Sequence, residues 1–136
     1  MDALNIRLLL DDSTPIAPDD AGGCVLIEGR GREARSDYCQ VDRWLLELVD
    51  GISEFQTALE ECWVDFAADG SEMRLSREGA VTKAEYRGAS WTVPQDEFVA
   101  AAKGAAEELV KAFAGFRPFV PGSPLARLEE WLSLQG

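Results

Sequence analysis

The spacing of apolar residues changes near residue 60, and this change constrains the fold more than any other feature of the chain. Between residues 41 and 59, apolar side chains recur at steps of three and four, as on one face of an α-helix. Between residues 61 and 93, they alternate with polar side chains, as in strands with one buried face. A chain with both periods must pack helix against sheet, so we predict an α+β fold. The predicted helix face consists of Val41, Trp44, Leu45, Leu48, Ile52, Phe55 and Leu59.

Three glycine-containing dipeptides divide the alternating region into strands. Asp69-Gly70 is a strong signal for a tight turn between two strands, and Glu78-Gly79 and Arg87-Gly88 mark two more turns. We therefore predict a four-stranded antiparallel meander with strands at 61–68, 72–77, 81–87 and 90–93.

The sequence predicts further strands before the first helix and further helices after the meander. Residues 4–10 and 24–28 are short apolar runs that predict two strands, separated by a loop rich in proline and aspartate. Pro94 and Ser123-Pro124 predict the starts of two more helices, because proline is tolerated in the first helical turn. The order ββ-α-ββββ-α-α predicts one domain over residues 1–136, with a mostly antiparallel sheet of about six strands and helices packed on one face.

The charge of the chain restricts its partners. The 136 residues carry a net charge of −12, with 46% hydrophobic and 28% charged residues, which is a globular composition. Residues 1–68 hold 15 acidic and 5 basic side chains, whereas residues 69–136 hold 10 and 8. An anionic surface repels nucleic acid and anionic lipid and suits a basic protein, although the same charge also serves solubility. We therefore expect neither nucleic-acid nor membrane binding, and the sequence does not predict the oligomeric state.

The cysteines and the N-terminus predict a cytoplasmic protein. The three cysteines, Cys24, Cys39 and Cys62, are odd in number and form no C-x-x-C pair, which argues against a disulfide framework. The first twelve residues lack the basic start of a signal peptide, and no stretch approaches the roughly 18 apolar residues of a membrane span.

Catalytic signatures are missing from the sequence. There is no histidine, the commonest general base and zinc ligand, and no phosphate-binding or nucleophile-elbow motif. Asp11-Asp12 and Asp19-Asp20 lack the spacing of a calcium loop, so a solvated acidic loop is the favoured interpretation. Cys39 follows two arginines that could lower its pKa, but no base accompanies it. We predict a non-enzyme with no catalytic residues, no cofactor and no metal.

An acidic stripe on the first helix is the leading candidate for a contact surface. Glu47, Asp50 and Glu54 follow at i, i+3 and i+7, and like charges at this spacing destabilise a helix by ~0.2–0.5 kcal/mol per pair. The stripe therefore brings the fold no evident gain, and we predict that it joins Asp11 and Asp12 in one partner-binding surface. A solvated helix face is the alternative.

Trp63 is predicted to accompany this surface as an aromatic anchor. It is out of phase with the apolar residues Cys62, Val64 and Phe66 of its strand. It therefore belongs either to an interface or to a second packed face.

The layout of the chain resembles that of immunity proteins of bacterial polymorphic toxin systems. The similarity covers roughly residues 24–115: a small, acidic, histidine-free domain with a helix before a meander, then WTVPQDEF at 91–98 leading into an alanine-rich helix. The resemblance implies a cytosolic antidote that binds a cognate toxin domain. Toxins that attack nucleic acid are often basic, which would suit an acidic inhibitor. Two alternatives stay open: a secretion chaperone or adaptor that binds one effector, and a small-molecule enzyme that uses carboxylates or arginines.

Overall fold

The computed structural model describes residues 3–11, 15, 17, 20–57 and 60–135, which form eight strands and three α-helices. The predicted α+β fold is confirmed. None of the helices in this described part of the chain is long and apolar enough to cross a membrane. The strands are β1 (Asn5–Leu10), β2 (Gly22–Gly29), β3 (Arg32–Arg35), β4 (Cys39–Gln40), β5 (Glu61–Phe66), β6 (Ser71–Glu78), β7 (Val81–Tyr86) and β8 (Ala89–Pro94). The helices are α1 (Val41–Gln56), α2 (Gln95–Ala112) and α3 (Pro124–Gln135), with a 3-10 turn at Ala114–Phe116.

The strands form two antiparallel sheets of four, where the sequence predicted one sheet of about six strands. In the first sheet β1 pairs with β2, which also pairs with β3 and β4. The extra strands arise because the chain reverses at Arg30 and Gly31, both with positive φ, and returns along β2. The second sheet has the order β5-β6-β7-β8, which confirms the predicted meander.

Side-chain hydrogen bonds join the two sheets where β3 lies beside β8. Arg32 donates to the carbonyl of Ser90 at 2.8 Å, and the buried indole of Trp91 donates to the carbonyl of Gly29 at 3.0 Å. Buried side chains of both sheets belong to one hydrophobic core.

The core lies between the sheets and the helices. Trp44 of α1 stacks on Phe66 of β5 with ring centroids 4.1 Å apart, and Tyr86 of β7 meets both rings edge-on. α3 packs on α1 and α2 and buries Trp131, and Trp44 of the predicted helix face is fully buried. The predicted apolar face of α1 is buried from Val41 to Phe55, and Leu59 lies outside the described residues.

Gly51 does not interrupt α1, although glycine weakens a helix. A Cβ at this position would lie 2.4 Å from Cγ2 of Val64 on β5, closer than real Cβ contacts approach. Glycine therefore lets β5 pass directly against the helix, and any larger residue here must displace the Val64 side chain.

The first turn of α2 is tied to the first sheet through Glu97. The carboxylate of Glu97 accepts a hydrogen bond from the backbone N–H of Leu4 at 3.1 Å and pairs with Arg30 at 2.9 Å. The Arg30 guanidinium holds the pKa of Glu97 below its usual value, and the Leu4 hydrogen bond adds to this effect. The basic turn between β2 and β3 therefore contacts this helix.

Candidate functional site

The acidic stripe of α1 takes part in the fold. The carboxylate of Glu47 accepts hydrogen bonds from the backbone N–H groups of Ala67 at 2.9 Å and Ala68 at 3.2 Å, in the loop between β5 and β6. Asp50 pairs with Arg127 of α3 at 3.1 Å. The premise that the stripe brings the fold no gain is therefore wrong for both residues.

Glu54 and Asp11 have surroundings that differ from those of Glu47 and Asp50. Glu54 is exposed, and its carboxylate has no hydrogen bond or ion pair with any other residue that the structure describes. Asp11 follows β1, where it accepts a hydrogen bond from the exposed Tyr38. Asp12, the remaining acidic residue of the predicted surface, lies outside the described residues. Within the described chain, then, the predicted acidic residues are distributed over separate structural contexts.

Trp63 lies on the side of the second sheet that faces away from α1. Its neighbours in the strand, Cys62 and Val64, are buried against the core, whereas the Trp63 side chain is 53% exposed. The interpretation that Trp63 belongs to a second packed face is therefore wrong. The indole donates to Glu61 at 3.1 Å, and the Arg74 guanidinium lies 5.9 Å from the ring centroid. Trp63 and the stripe of α1 consequently point to opposite sides of the sheet.

The outward side chains of β5 to β8, here called the open face, carry five carboxylates and two cations. Arg74 pairs with Glu61 at 3.0 Å and with Glu85 at 3.5 Å, and Lys83 also reaches Glu85 at 3.6 Å. Both cations are thus paired with carboxylates of the same face, and they share Glu85. The charged members of the open face are Glu61, Asp65, Glu72, Arg74, Glu78, Lys83 and Glu85.

Asp65 and Glu72 are a like-charge pair on this face. The two residues are directly opposite each other in the β5–β6 register, and both are exposed. Neither carboxylate has a hydrogen bond or ion pair with a residue in the described part of the chain. Like charges directly opposite on neighbouring strands destabilise a sheet, so the stability of the fold does not explain this pair. The pair is not evident from the sequence because it depends on the hairpin register.

A polar cluster around the buried side chain of Asp69 adjoins the open face and has a structural role. The fully buried carboxylate of Asp69 accepts hydrogen bonds from the backbone of Asp37 at 3.0 Å, from the backbone of Ser71 at 3.0 Å and from the Ser71 hydroxyl at 2.6 Å. Arg87 holds Asp37 through two hydrogen bonds of 3.0 and 3.1 Å. The cluster ties the loop after β3 to the second sheet.

Burial disfavours the thiolate form of two cysteines, Cys39 and Cys62. Cys39 is buried, and burial raises its pKa to about 11, so the idea that its arginine neighbours lower the pKa is wrong. Burial also raises the pKa of Cys62. Across the described residues, no three histidine, cysteine, aspartate or glutamate side chains converge as a metal site would require.

Comparison of the chain with protein-family models, with curated proteins and with solved structures gives no match.

Proposed function

We propose that this protein is an immunity protein that binds a cognate bacterial toxin domain in the cytosol and neutralises it. The observation that carries the proposal is the open face, where a half-exposed Trp63 adjoins the carboxylates of Asp65 and Glu72, which have no ion-pair partner among the described residues. Exposed tryptophan is typical of the residues that dominate binding energy at protein interfaces. The sequence layout described above supports a toxin as the partner.

The charge of the protein supports the same proposal. A net charge of −12 accelerates encounter with a cationic partner and disfavours wrong partners of the same sign. A toxin that acts on nucleic acid must itself present cationic groups to phosphate, so an acidic protein could compete for that surface.

A secretion chaperone is the second candidate, and one apolar groove favours it. The groove lies beside the start of α3 and is lined by Phe116, Pro118, Phe119 and Leu125, together with Val120, which is 71% exposed. A chaperone of this kind would hold an apolar effector segment in such a groove.

Growth rescue separates the two candidates. The C-terminal domain of the protein encoded immediately upstream is expressed in a bacterial host, alone and together with this chain. Immunity predicts growth arrest by the domain alone and restored growth on co-expression, with the two proteins recovered as a complex. If growth stays arrested although both proteins accumulate, immunity is wrong. A chaperone would instead raise the amount or the export of its effector without abolishing toxicity.

A further inference from the structure

We infer that the toxin docks on the open face through a cluster of lysine or arginine side chains, one of which bridges Asp65 and Glu72 beside Trp63. This inference rests on the proposed function and adds the docking surface and the chemistry of the partner. It places the interface on the second sheet instead of on the acidic stripe of α1.

The geometry of the Asp65–Glu72 pair suits a single external cation. Side chains directly opposite on antiparallel strands have Cβ atoms about 4.5–5.5 Å apart, so one guanidinium or ammonium group can reach both carboxylates. Hydrogen bonds between ionised groups are stronger than neutral ones, and this pair has no cation of its own in the described chain. A partner cation would relieve the repulsion on binding.

Trp63 supplies apolar area next to this charge. Its ring is held by the hydrogen bond to Glu61 and by the guanidinium of Arg74, so little side-chain freedom remains to be lost on binding. An aromatic side chain held in place beside unpaired charges has the composition of an interface centre.

Charge excludes the other occupants of the open face. The face has three more carboxylates than cations, so a second copy of this chain would bring like charges together. Nucleic acid is repelled for the same reason. The outward face of the first sheet is balanced by comparison, because Arg7 and Arg35 offset Glu28 and Glu33. The open face is therefore the sheet surface that favours a cationic partner.

Three variants test the inference against the toxin domain used in the rescue experiment. Trp63→Ala removes the aromatic side chain, and Glu72→Lys replaces one carboxylate of the pair with a cation. Glu107→Lys is the matched control, because it makes the same charge change on the exposed surface of α2. Affinities are measured by calorimetry at low and high salt, after urea unfolding has shown that each variant is folded.

We expect Trp63→Ala to weaken binding about 30-fold or more, the loss typical of a central interface residue. Glu72→Lys should weaken it about 10-fold or more at low salt and less at high salt, because salt screens exposed charges. The affinity of the Glu107→Lys variant should stay close to that of the unmodified protein. Acrylamide quenching of tryptophan fluorescence tests the docking surface without any substitution. Trp63 is half-exposed and the other three tryptophans are buried, so acrylamide should quench mainly Trp63. Docking on the open face should therefore reduce the quenching.

The outcomes separate the docking surface from the function. If the domain binds all four proteins equally and quenching is unchanged, the docking surface is refuted while the immunity proposal stands. If the unmodified protein neither binds the domain nor rescues growth, the immunity proposal fails and the docking surface fails with it.

Discussion

Two glycines within helices predict opposite effects of the same substitution. A Cβ added at Gly51 of α1 would lie 2.4 Å from Cγ2 and 3.2 Å from Cγ1 of Val64. A Cβ added at Gly104 of α2 would meet no atom of the described chain within 4 Å. Comparing Gly51→Ala with Gly104→Ala therefore separates the effect of helix propensity on stability from the effect of the close approach of β5 to α1.

The magnitudes follow from these distances. Glycine in a helix interior is less favourable than alanine by ~1 kcal/mol, so Gly104→Ala should raise the free energy of unfolding by about that amount. Gly51→Ala gains the same propensity, but it must displace Val64, which is buried and has a stiff β-branched side chain. Overpacking a core costs ~1–3 kcal/mol, so we expect Gly51→Ala to lie between neutral and ~2 kcal/mol destabilised. The two variants should differ by ~1–3 kcal/mol.

Urea unfolding followed by circular dichroism measures both variants. Val64→Ala provides the internal control, because it removes the two Cγ atoms that a Cβ at Gly51 would meet. In that background Gly51→Ala should become stabilising, which a double-mutant cycle reports as coupling between the two positions. If Gly51→Ala stabilises the unmodified protein as much as Gly104→Ala does, the close approach of β5 does not explain the glycine.

Three further predictions concern buried or paired groups. Asp69→Ala removes the acceptor of three hydrogen bonds, two of which are partly buried, and should lower the free energy of unfolding by about 1–2 kcal/mol in urea titrations; a loss below about 0.5 kcal/mol would contradict the bonding described above. With a pKa of about 11, Cys39 should react with iodoacetamide at pH 8 more slowly than the partly exposed Cys24, as mass spectrometry would show, and equal rates in the native protein would argue against this assignment. The pKa of Glu97 is lower folded than unfolded, because Arg30 favours the carboxylate, so its stabilisation is present at neutral pH and is lost as the pH falls through the folded pKa. Glu97→Gln should therefore destabilise the protein at pH 7 and show a smaller further loss at pH 3 than the unmodified protein, whereas parallel stability curves would refute the pairing.

The elements that sequence analysis predicted are those with a local periodic signal. The apolar face of α1 and the alternation in β5 to β8 each repeat over many residues, so burial on one side is visible in the sequence. The Ser123-Pro124 pair is similarly local, and Ser123 accepts a hydrogen bond from the backbone of Ala126 as a helix cap does.

The elements that were missed depend on pairing with distant residues. β3 has the sequence Arg-Glu-Ala-Arg, in which only Ala34 is buried, and β4 contains only two residues. Neither has a periodic apolar pattern, and both form because β2 offers them a partner. Their tertiary origin explains why the sequence predicted only two of the four strands of the first sheet.

The acidic stripe was misjudged for the same reason. Like-charge spacing on a helix is a local observation, whereas the groups that stabilise Glu47 and Asp50 are distant in sequence. Glu47 binds backbone groups 20 and 21 positions away, and Asp50 pairs with Arg127, 77 positions away. Charge that is unpaired along one helix can therefore be paired in the folded chain.

On the second sheet, the register of the β5–β6 hairpin places two like charges opposite each other. A two-residue turn at Asp69-Gly70 would place Asp65 opposite Arg74, a favourable pair. The observed register instead pairs Phe66 with Ser71 across a longer loop, and this places Asp65 opposite Glu72 and Trp63 opposite Arg74. The shift of two residues keeps every side chain on its side of the sheet but exchanges an attractive pair for a repulsive one. Within the described chain, Glu47 and Asp50 have partners and only Glu54 of the stripe has none, whereas the adjacent Asp65 and Glu72 both have none. A cationic partner that bridges two carboxylates therefore has more to gain on the open face than on α1.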